Sequence, residues 1–117
     1  MATKGEKVVD AEYDLDSDSL ALSVRGSRSD GAEEFGDIII DFDKKGNIVG
    51  VELLGATGLL SGLTKGDVSS DDLKSIQDAW LTVRKAGKNI IVDIKLRLPG
   101  RVIETPLTFP GSIAAET

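Results

Sequence analysis

Apolar residues that alternate with polar residues constrain the fold of this chain more than any other feature of its sequence. The alternation runs through residues 9–13 and again through residues 20–24. A period of two places every second side chain on one face of a β-strand, whereas a helical face repeats about every 3.6 residues. The intervening segment 14–19 is rich in Asp and Ser, which favour turns. The sequence therefore predicts a β-hairpin near the N-terminus.

A second hairpin is predicted at residues 38–53. The register that aligns its apolar residues places Phe42 opposite Val49. The same register places Ile40 opposite Val51 and Ile38 opposite Leu53. The connection 43–47 begins with Asp and contains a Gly where a positive-φ residue would form a bulge after a type I turn. Turn chemistry and hydrophobic pattern agree on this hairpin.

Residues 41–52 also match part of the calcium-binding loop of an EF-hand, in which oxygen ligands occupy fixed positions. Asp41, Asp43 and Glu52 stand at ligand positions, but Lys45 places a positive charge at another one. The flanking residues alternate as strands, and an EF-hand needs helices there. A hairpin turn is therefore favoured over a calcium site.

The C-terminal half is predicted to contain one short helix near residues 70–78 and a hairpin at residues 79–98. Ser69 or Ser70 can cap the helix, and two Asp residues follow in its positive first turn. In the hairpin, Gly87 starts a two-residue loop of the type II′ kind.

A continuous helix over residues 70–87 is the competing interpretation, because several apolar residues there also have helical spacing. Residues 26–34 are predicted to be a polar loop, and residues 102–109 an edge strand that tolerates Pro106. The Gly-rich segment 55–68 is predicted to be irregular, with at most one helical turn. Its glycines partly match a dinucleotide-binding loop, but their spacing and the short chain argue against a nucleotide site.

The predicted fold class is α+β, mostly antiparallel β, in a single domain over residues 1–117. Residues 11–57 form a β-hairpin meander. Residues 58–117 contain the Gly-rich connection, the short helix and the C-terminal hairpin. The predicted core consists of apolar residues on the inward side of the strands: Leu20, Leu22, Ile38, Ile40, Phe42, Val49, Val51, Leu53, Leu81, Val83, Val92 and Ile94.

The chain contains no His and no Cys. Disulfides, Cys-based zinc sites and His- or Cys-dependent catalysis are therefore excluded. We expect no enzymatic activity, no catalytic residue and no cofactor. Asp14, Asp16 and Asp18 are the candidates for a divalent metal site, although a solvated turn built on Asp side chains is the favoured interpretation.

An interaction face is predicted on the C-terminal hairpin. In the predicted register Trp80 lies opposite Lys95, within reach of a cation–π contact. Trp and Arg are enriched at binding hot spots. The alternative is that Trp80 packs into the core beneath the Gly-rich segment. The residues of the predicted face are Trp80, Thr82, Arg84, Asp93, Lys95 and Arg97.

The net charge of −6 disfavours nucleic acid as a partner. The charge is also uneven, with 8 Lys/Arg against 17 Asp/Glu in residues 1–78, and 6 against 3 in residues 79–117. The two parts carry opposite net charges and can attract each other, within one chain or between copies, but a surface-charge distribution without functional meaning is the favoured interpretation. We expect a homodimer or a protein partner.

A cytoplasmic location is expected. Residues 1–7 carry positive charges with no apolar segment behind them, unlike a signal peptide. The longest uncharged stretch, residues 53–64, is too short and too Gly-rich to cross a bilayer. No membrane association is predicted.

Several ordered motifs in the first half carry a family resemblance. They are Ala11-Glu12-Tyr13-Asp14, the segments 18–22 and 36–43, and Gly46-Asn47-Ile48-Val49-Gly50-Val51-Glu52. Over about residues 11–57 the chain resembles the prokaryotic family known as domain of unknown function 2283. That family has no established activity, and some members lie beside toxin-like genes, so the resemblance implies an antitoxin-like or partner-binding role.

Three functional interpretations follow from these patterns. The first is a non-catalytic, β-rich protein-interaction module that self-associates. The second is an antitoxin-like or regulatory partner of another protein. The third is an enzyme that uses carboxylates, with or without a divalent metal.

Overall fold

The computed structural model describes residues 5–111, in which eight strands form one antiparallel sheet with two short helices. The predicted fold class, mostly antiparallel β with little helix, holds, but there is one more helix than predicted. The elements are β1 Lys7–Asp14, β2 Ser19–Val24, β3 Gly31–Phe35, β4 Ile38–Phe42, β5 Ile48–Leu54, α1 Ala56–Thr64, α2 Ser70–Lys74, β6 Asp78–Ala86, β7 Asn89–Leu98 and β8 Arg101–Pro110.

The strand order is β3-β4-β5-β2-β1-β6-β7-β8, so the N-terminal part is not a simple meander. The first hairpin, β1–β2, is inserted between β5 and β6, and its strands pair with both. The predicted turn at residues 14–19 is confirmed, and Tyr13 lies opposite Leu20. The β1–β6 pairing joins the two parts of the chain into one sheet.

The second hairpin forms as predicted except at its turn end. Ile38 lies opposite Leu53 and the register holds up to Asp41, but Phe42 lies opposite Ile48 instead of Val49. The turn itself explains the shift, because it pairs residue 43 with residue 47 through a 2.9 Å backbone hydrogen bond. That pairing is out of step with the core register by one residue. A β-bulge absorbs the difference and leaves Val49 unpaired.

The C-terminal hairpin has the predicted register. Val83 lies opposite Val92, and Gly87 opens the loop with a φ of 61°. A continuous helix over residues 70–87 is therefore wrong. The predicted helix at 70–78 ends early, at Lys74, because Gln77 already donates its backbone N–H to the β7 carbonyl of Arg97 at 2.8 Å.

Two elements were not predicted. The polar segment 26–34 contains most of β3, whose residues are almost all exposed and so show no alternation. The Gly-rich segment contains the nine-residue helix α1. Ala56 and Leu60 of that helix are fully buried, and this burial offsets the low helix propensity of its glycines.

The core lies on the inner face of the sheet and is covered by the two helices, through Leu60 of α1 and Leu73 of α2. Most of the predicted core residues are buried there. Ile38, Phe42 and Val83 are only half-buried and pack against its margin. Val49 is buried but lies outside the core cluster, as expected for the extra residue of a bulge.

The sheet curls until its two edge strands approach each other. The rings of Phe35 on β3 and Phe109 on β8 lie with their centroids 5.1 Å apart. The predicted edge strand at residues 102–109 is confirmed as β8. Along an antiparallel pair, the residues alternate between those that hydrogen-bond to the partner strand and those whose backbone groups point away from it. Pro106 and Pro110 of β8 are residues of the second kind, so their nitrogens lie where the sheet needs no donor.

No helix in the described part of the chain is long and apolar enough to cross a membrane. Residues 1–4, which contribute to the expectation about location, lie outside the described residues.

Candidate functional site

The six residues of the predicted interaction face lie together on the outer face of β6 and β7, which is the side turned away from the core. We call this surface the Trp80 face. Trp80 lies opposite Lys95, and the Lys95 Nζ is 4.8 Å from the centroid of the Trp80 ring. This is cation–π distance, so the predicted placement is confirmed. Trp80 is not part of the core cluster, and the alternative that placed it there is wrong.

The charged groups of the Trp80 face are paired with one another or with neighbours. Arg84 Nε donates to Asp93 Oδ2 across the two strands at 2.9 Å, and this bond raises the pKa of the Arg84 guanidinium. Arg97 pairs with Asp78, the residue directly opposite it. Sequence reasoning missed Asp78, although extending the predicted register by one pair would have found it.

Lys95 has a second partner that the sequence could not indicate. Its Nζ lies 2.7 Å from Glu6 Oε2, and the Glu6 side chain is only 6% exposed. Lys95 is therefore held between a carboxylate and the ring of Trp80. Glu6 precedes β1, and only the long-range pairing of β1 with β6 brings it to this site.

Ion pairs join the two parts of the chain within the molecule. Three carboxylates from the first 78 residues pair with three cations from the rest of the chain. These ion pairs are Glu6–Lys95, Asp72–Arg101 and Asp78–Arg97. Cations that are already paired contribute little to attraction between copies.

Exposed apolar side chains accompany the Trp80 face. Val8 of β1 lies directly opposite Trp80 and is 47% exposed. Val102 of β8 lies opposite Arg97 and is 56% exposed. The Trp80 face therefore combines an aromatic ring, neighbouring exposed aliphatic groups and charges that are paired within the chain.

A second cluster lies on the outer face of β4 and β5. The carboxyl groups of Asp41 and Glu52 lie close enough for each to affect the pKa of the other. Burial raises the pKa of Asp41. Burial and then the negative charge of Asp41 raise the pKa of Glu52. Paired carboxyls with raised pKa values are a means of holding a proton.

Gly50 makes room for this carboxyl pair. A Cβ at position 50 would lie 2.8 Å from Asp41 Oδ2 and 3.1 Å from the Leu22 carbonyl oxygen. The first distance is shorter than real Cβ contacts and the second is tighter than most of them, so a larger residue would displace the Asp41 side chain and crowd the backbone of β2. Sequence reasoning considered Asp41 and Glu52 only as calcium ligands and missed their contact.

More carboxylates flank the same surface. Glu12 and Glu52 lie on either side of Ala21 in one row across β1, β2 and β5, and with Asp14 they line a shallow groove. No group of three or more acidic side chains within residues 5–111 is arranged to hold a metal ion.

The candidate metal residues Asp14, Asp16 and Asp18 have separate surroundings. Asp14 accepts hydrogen bonds from the Asp16 N–H at 3.1 Å and from Ser17 Oγ at 2.9 Å, which is the predicted turn built on an Asp side chain. Asp18 has a left-handed backbone conformation, with a φ of 51°, and its side chain does not join that of Asp14. The turn therefore accounts for the position of Asp14, and the contacts with α1 described next account for Asp18.

Asp18 connects the first hairpin to α1. Its carboxylate accepts from Tyr13 OH at 2.7 Å, from the Thr57 N–H at 3.2 Å and from Thr57 Oγ1 at 2.7 Å. The Tyr13 hydrogen bond is the main reason that the pKa of Asp18 is lowered, and the same bond raises the pKa of Tyr13 to about 12. A carboxylate of the chain itself therefore occupies the N-terminus of α1, the position at which a dinucleotide-binding loop holds its phosphate.

The fold is a curled antiparallel β-sheet that carries Trp80 on its outer face and has the carboxyl groups of Asp41 and Glu52 close together on β4 and β5. The family model described as "Protein of unknown function (DUF2283)" matches residues 11–56. An uncharacterised protein of Methanocaldococcus jannaschii is 34% identical over 91 residues, which cover 77% of this chain and 73% of the relative. The chain belongs to the DUF2283 family. No solved structure matches it.

Proposed function

We propose that this protein is a non-catalytic interaction module that forms a homodimer through its Trp80 face. The observation that carries the proposal is the Trp80 ring stacked against Lys95 beside the exposed side chain of Val8. Trp at the centre of a surface, surrounded by satisfied charges, is the composition of a binding hot spot. A symmetric dimer is the simplest closed assembly for one such surface.

The edges of the sheet support contact through a face. In β8, Pro106 and Pro110 remove two of the outward-pointing donors that another strand would need. The opposite edge, β3, has only five residues and carries the charges of Glu33 and Glu34. Face-to-face packing around Trp80 is therefore favoured over strand addition.

The proposal is tested by measuring molar mass with size exclusion and light scattering at roughly 100 μM, a concentration at which a micromolar dimer is saturated. Val8→Glu introduces a charge beside Trp80 without touching the core. It is expected to weaken the dimer by more than about tenfold. Leu15→Glu is the matched control, since Leu15 is 52% exposed and lies in the turn between β1 and β2.

Because the cations of the Trp80 face are paired within the chain, higher salt is expected to change the dimer affinity only modestly. A monomeric wild-type protein at that concentration would refute the proposal. Equal weakening by Val8→Glu and Leu15→Glu would also refute it. A monomer that is captured by a different protein, with the capture lost in Val8→Glu, would instead favour the antitoxin-like or regulatory role that the family resemblance implies.

A further inference from the structure

A cleft that the proposed interaction does not use lies at one end of the sheet. Its walls are the connection between β2 and β3, residues 26–30, and the turn between β4 and β5, residues 43–47. We call it the loop cleft. Three of its lining residues are cationic: Arg28 on one wall, and Lys44 and Lys45 on the other.

Backbone hydrogen bonds hold the two walls of the loop cleft in position. The Asp30 N–H donates to the Phe42 carbonyl at 2.7 Å and so ties the first wall to the end of β4. In the second wall, the Gly46 N–H donates to the Asp43 carbonyl at 3.1 Å, and Gly46 has a φ of 83°. The cations therefore extend from two anchored segments and face a common space.

The cations of the loop cleft differ from those of the Trp80 face. Arg28, Lys44 and Lys45 are exposed, and within residues 5–111 none of them forms an ion pair, whereas Arg84 and Lys95 each do. Unpaired cations from separate segments that converge on one concave site raise the local concentration of anions.

Two carboxylates also line the loop cleft. Asp43 is used within its own turn, where it accepts from the Lys45 N–H at 2.8 Å, the Asn47 N–H at 2.9 Å and Asn47 Nδ2 at 3.0 Å. Asp30 is exposed, with no such set of donors in the described structure. Three cations and two carboxylates give the lining a formal charge of +1 in a chain whose net charge is −6.

We propose that the loop cleft binds a compact phosphate-bearing anion of the phosphate monoester class. A guanidinium on one wall and two ammonium groups on the other can donate to a tetrahedral dianion from opposite sides, and Ser27 adds a hydroxyl donor. An extended polyanion such as nucleic acid is disfavoured, because Glu33 of β3 and other carboxylates of the sheet would repel its flanking phosphates.

The test is a titration of the ¹⁵N-labelled protein with inorganic phosphate at constant ionic strength, followed by amide chemical shifts. We expect saturable shifts confined to residues 26–30 and 43–47, with a Kd of about 1–10 mM. Lys44→Gln combined with Lys45→Gln is expected to weaken binding by about tenfold or more. Asp30→Asn removes an opposing charge from the lining and is expected to tighten binding.

Lys85→Gln combined with Lys88→Gln is the matched control. Lys85 lies near the end of β6 and Lys88 in the turn that follows, both are exposed, and the change in net charge is the same. Phosphate binding is expected to stay within about twofold of the wild type in this control. A second titration uses a short single-stranded oligonucleotide at the same phosphate concentration, and weaker binding than that of inorganic phosphate is expected.

Three outcomes would overturn the proposal. They are shifts that do not saturate, equal weakening in the control pair, and tighter binding of the oligonucleotide than of phosphate. The amide spectrum of each variant reports directly whether that variant is folded. The Trp80 face takes no part in this test, so the homodimer and the anion site stand or fall separately.

Discussion

The contact between Asp18 and α1 leads to a specific stability prediction. One carboxylate in the turn between β1 and β2 accepts three hydrogen bonds, one from Tyr13 and two from Thr57 at the start of α1. Replacing Asp18 with Gly removes all three. Gly adopts the left-handed φ of 51° without the strain that Ala would have. The substitution therefore introduces no backbone strain, and it reports the loss of the hydrogen bonds together with the greater freedom of Gly in the unfolded chain.

The size of the effect follows from the geometry. Hydrogen bonds to a charged group contribute about 1.5–3 kcal/mol each, and the half-exposed position of Asp18 reduces this to about 0.5–1 kcal/mol each. The greater freedom of Gly in the unfolded chain adds about 0.5–1 kcal/mol. Asp18→Gly is therefore expected to lower the free energy of unfolding by about 2–4 kcal/mol.

Urea unfolding followed by the fluorescence of Trp80, the single Trp of the chain, measures this change. Asp16→Gly is the control. It lies in the same turn and removes the same charge, and its carboxylate accepts no hydrogen bond from the described residues. It is expected to cost only the Gly contribution of about 0.5–1 kcal/mol. Equal destabilisation by the two variants would refute the role of Asp18 as the anchor of α1.

Acid dependence provides a second check on Asp18. Its pKa is lowered in the folded protein, chiefly by the Tyr13 hydrogen bond, from an ordinary value of 3.8. The stabilisation is therefore present above pH 3.8 and is lost as the pH falls through the lower folded value. The stability difference between the wild type and Asp18→Asn is expected to shrink over that range. A difference that stays constant down to complete protonation would contradict the assignment.

Three further predictions concern β5. Gly50→Ala is expected to destabilise the fold by about 1–3 kcal/mol through overpacking against Asp41, as measured by urea unfolding; an unchanged midpoint would show that the carboxyl pair has room to move. Leu53→Ala removes a fully buried side chain and is expected to lower the free energy of unfolding by about 2–5 kcal/mol. Leu54→Ala changes a side chain that is 39% exposed and is expected to cost less than about 1 kcal/mol. Similar losses would mean that the faces of β5 are reversed. Glu52→Gln removes a carboxyl whose pKa is raised in the fold, so it is expected to raise the Tm at neutral pH and to lose this gain as the pH falls; a lower Tm at neutral pH would argue against the repulsion.

The hairpins are the part of the fold that could be predicted in detail. Local alternation and two-residue turn chemistry were sufficient to place Val83 opposite Val92 and Trp80 opposite Lys95. Within residues 38–53 the same reasoning placed Ile38 opposite Leu53 correctly and failed by one residue at the turn end, at Phe42. Two local signals, the turn and the core pattern, disagree there, and the β-bulge at Val49 resolves the conflict. The sequence contains both signals but does not say which strand takes the extra residue.

The candidate site could be predicted only on the strands that form a local hairpin. Pairing of adjacent strands placed the six residues of the Trp80 face together. The buried partner Glu6 depends on β1 lying beside β6, which is a long-range contact. The Asp41–Glu52 pair was missed for a different reason. In the strand register Asp41 is paired with Gly50, and Glu52 is paired with Ile39. The two carboxyls therefore meet diagonally, and a list of directly opposite residues does not show their contact.

By itself, the sequence determined the alternating strands, their hairpin registers and the exclusion of His and Cys chemistry, because these depend on residue type and on neighbours in the chain. Tertiary structure decided the order of the strands, the helix α1 and the pairing of charges across the two parts of the chain. Glycines in residues 55–62 argue locally against a helix. The burial of Leu60 and the carboxylate of Asp18, which lies 39 residues before Thr57, supply the stabilisation that the local sequence lacks.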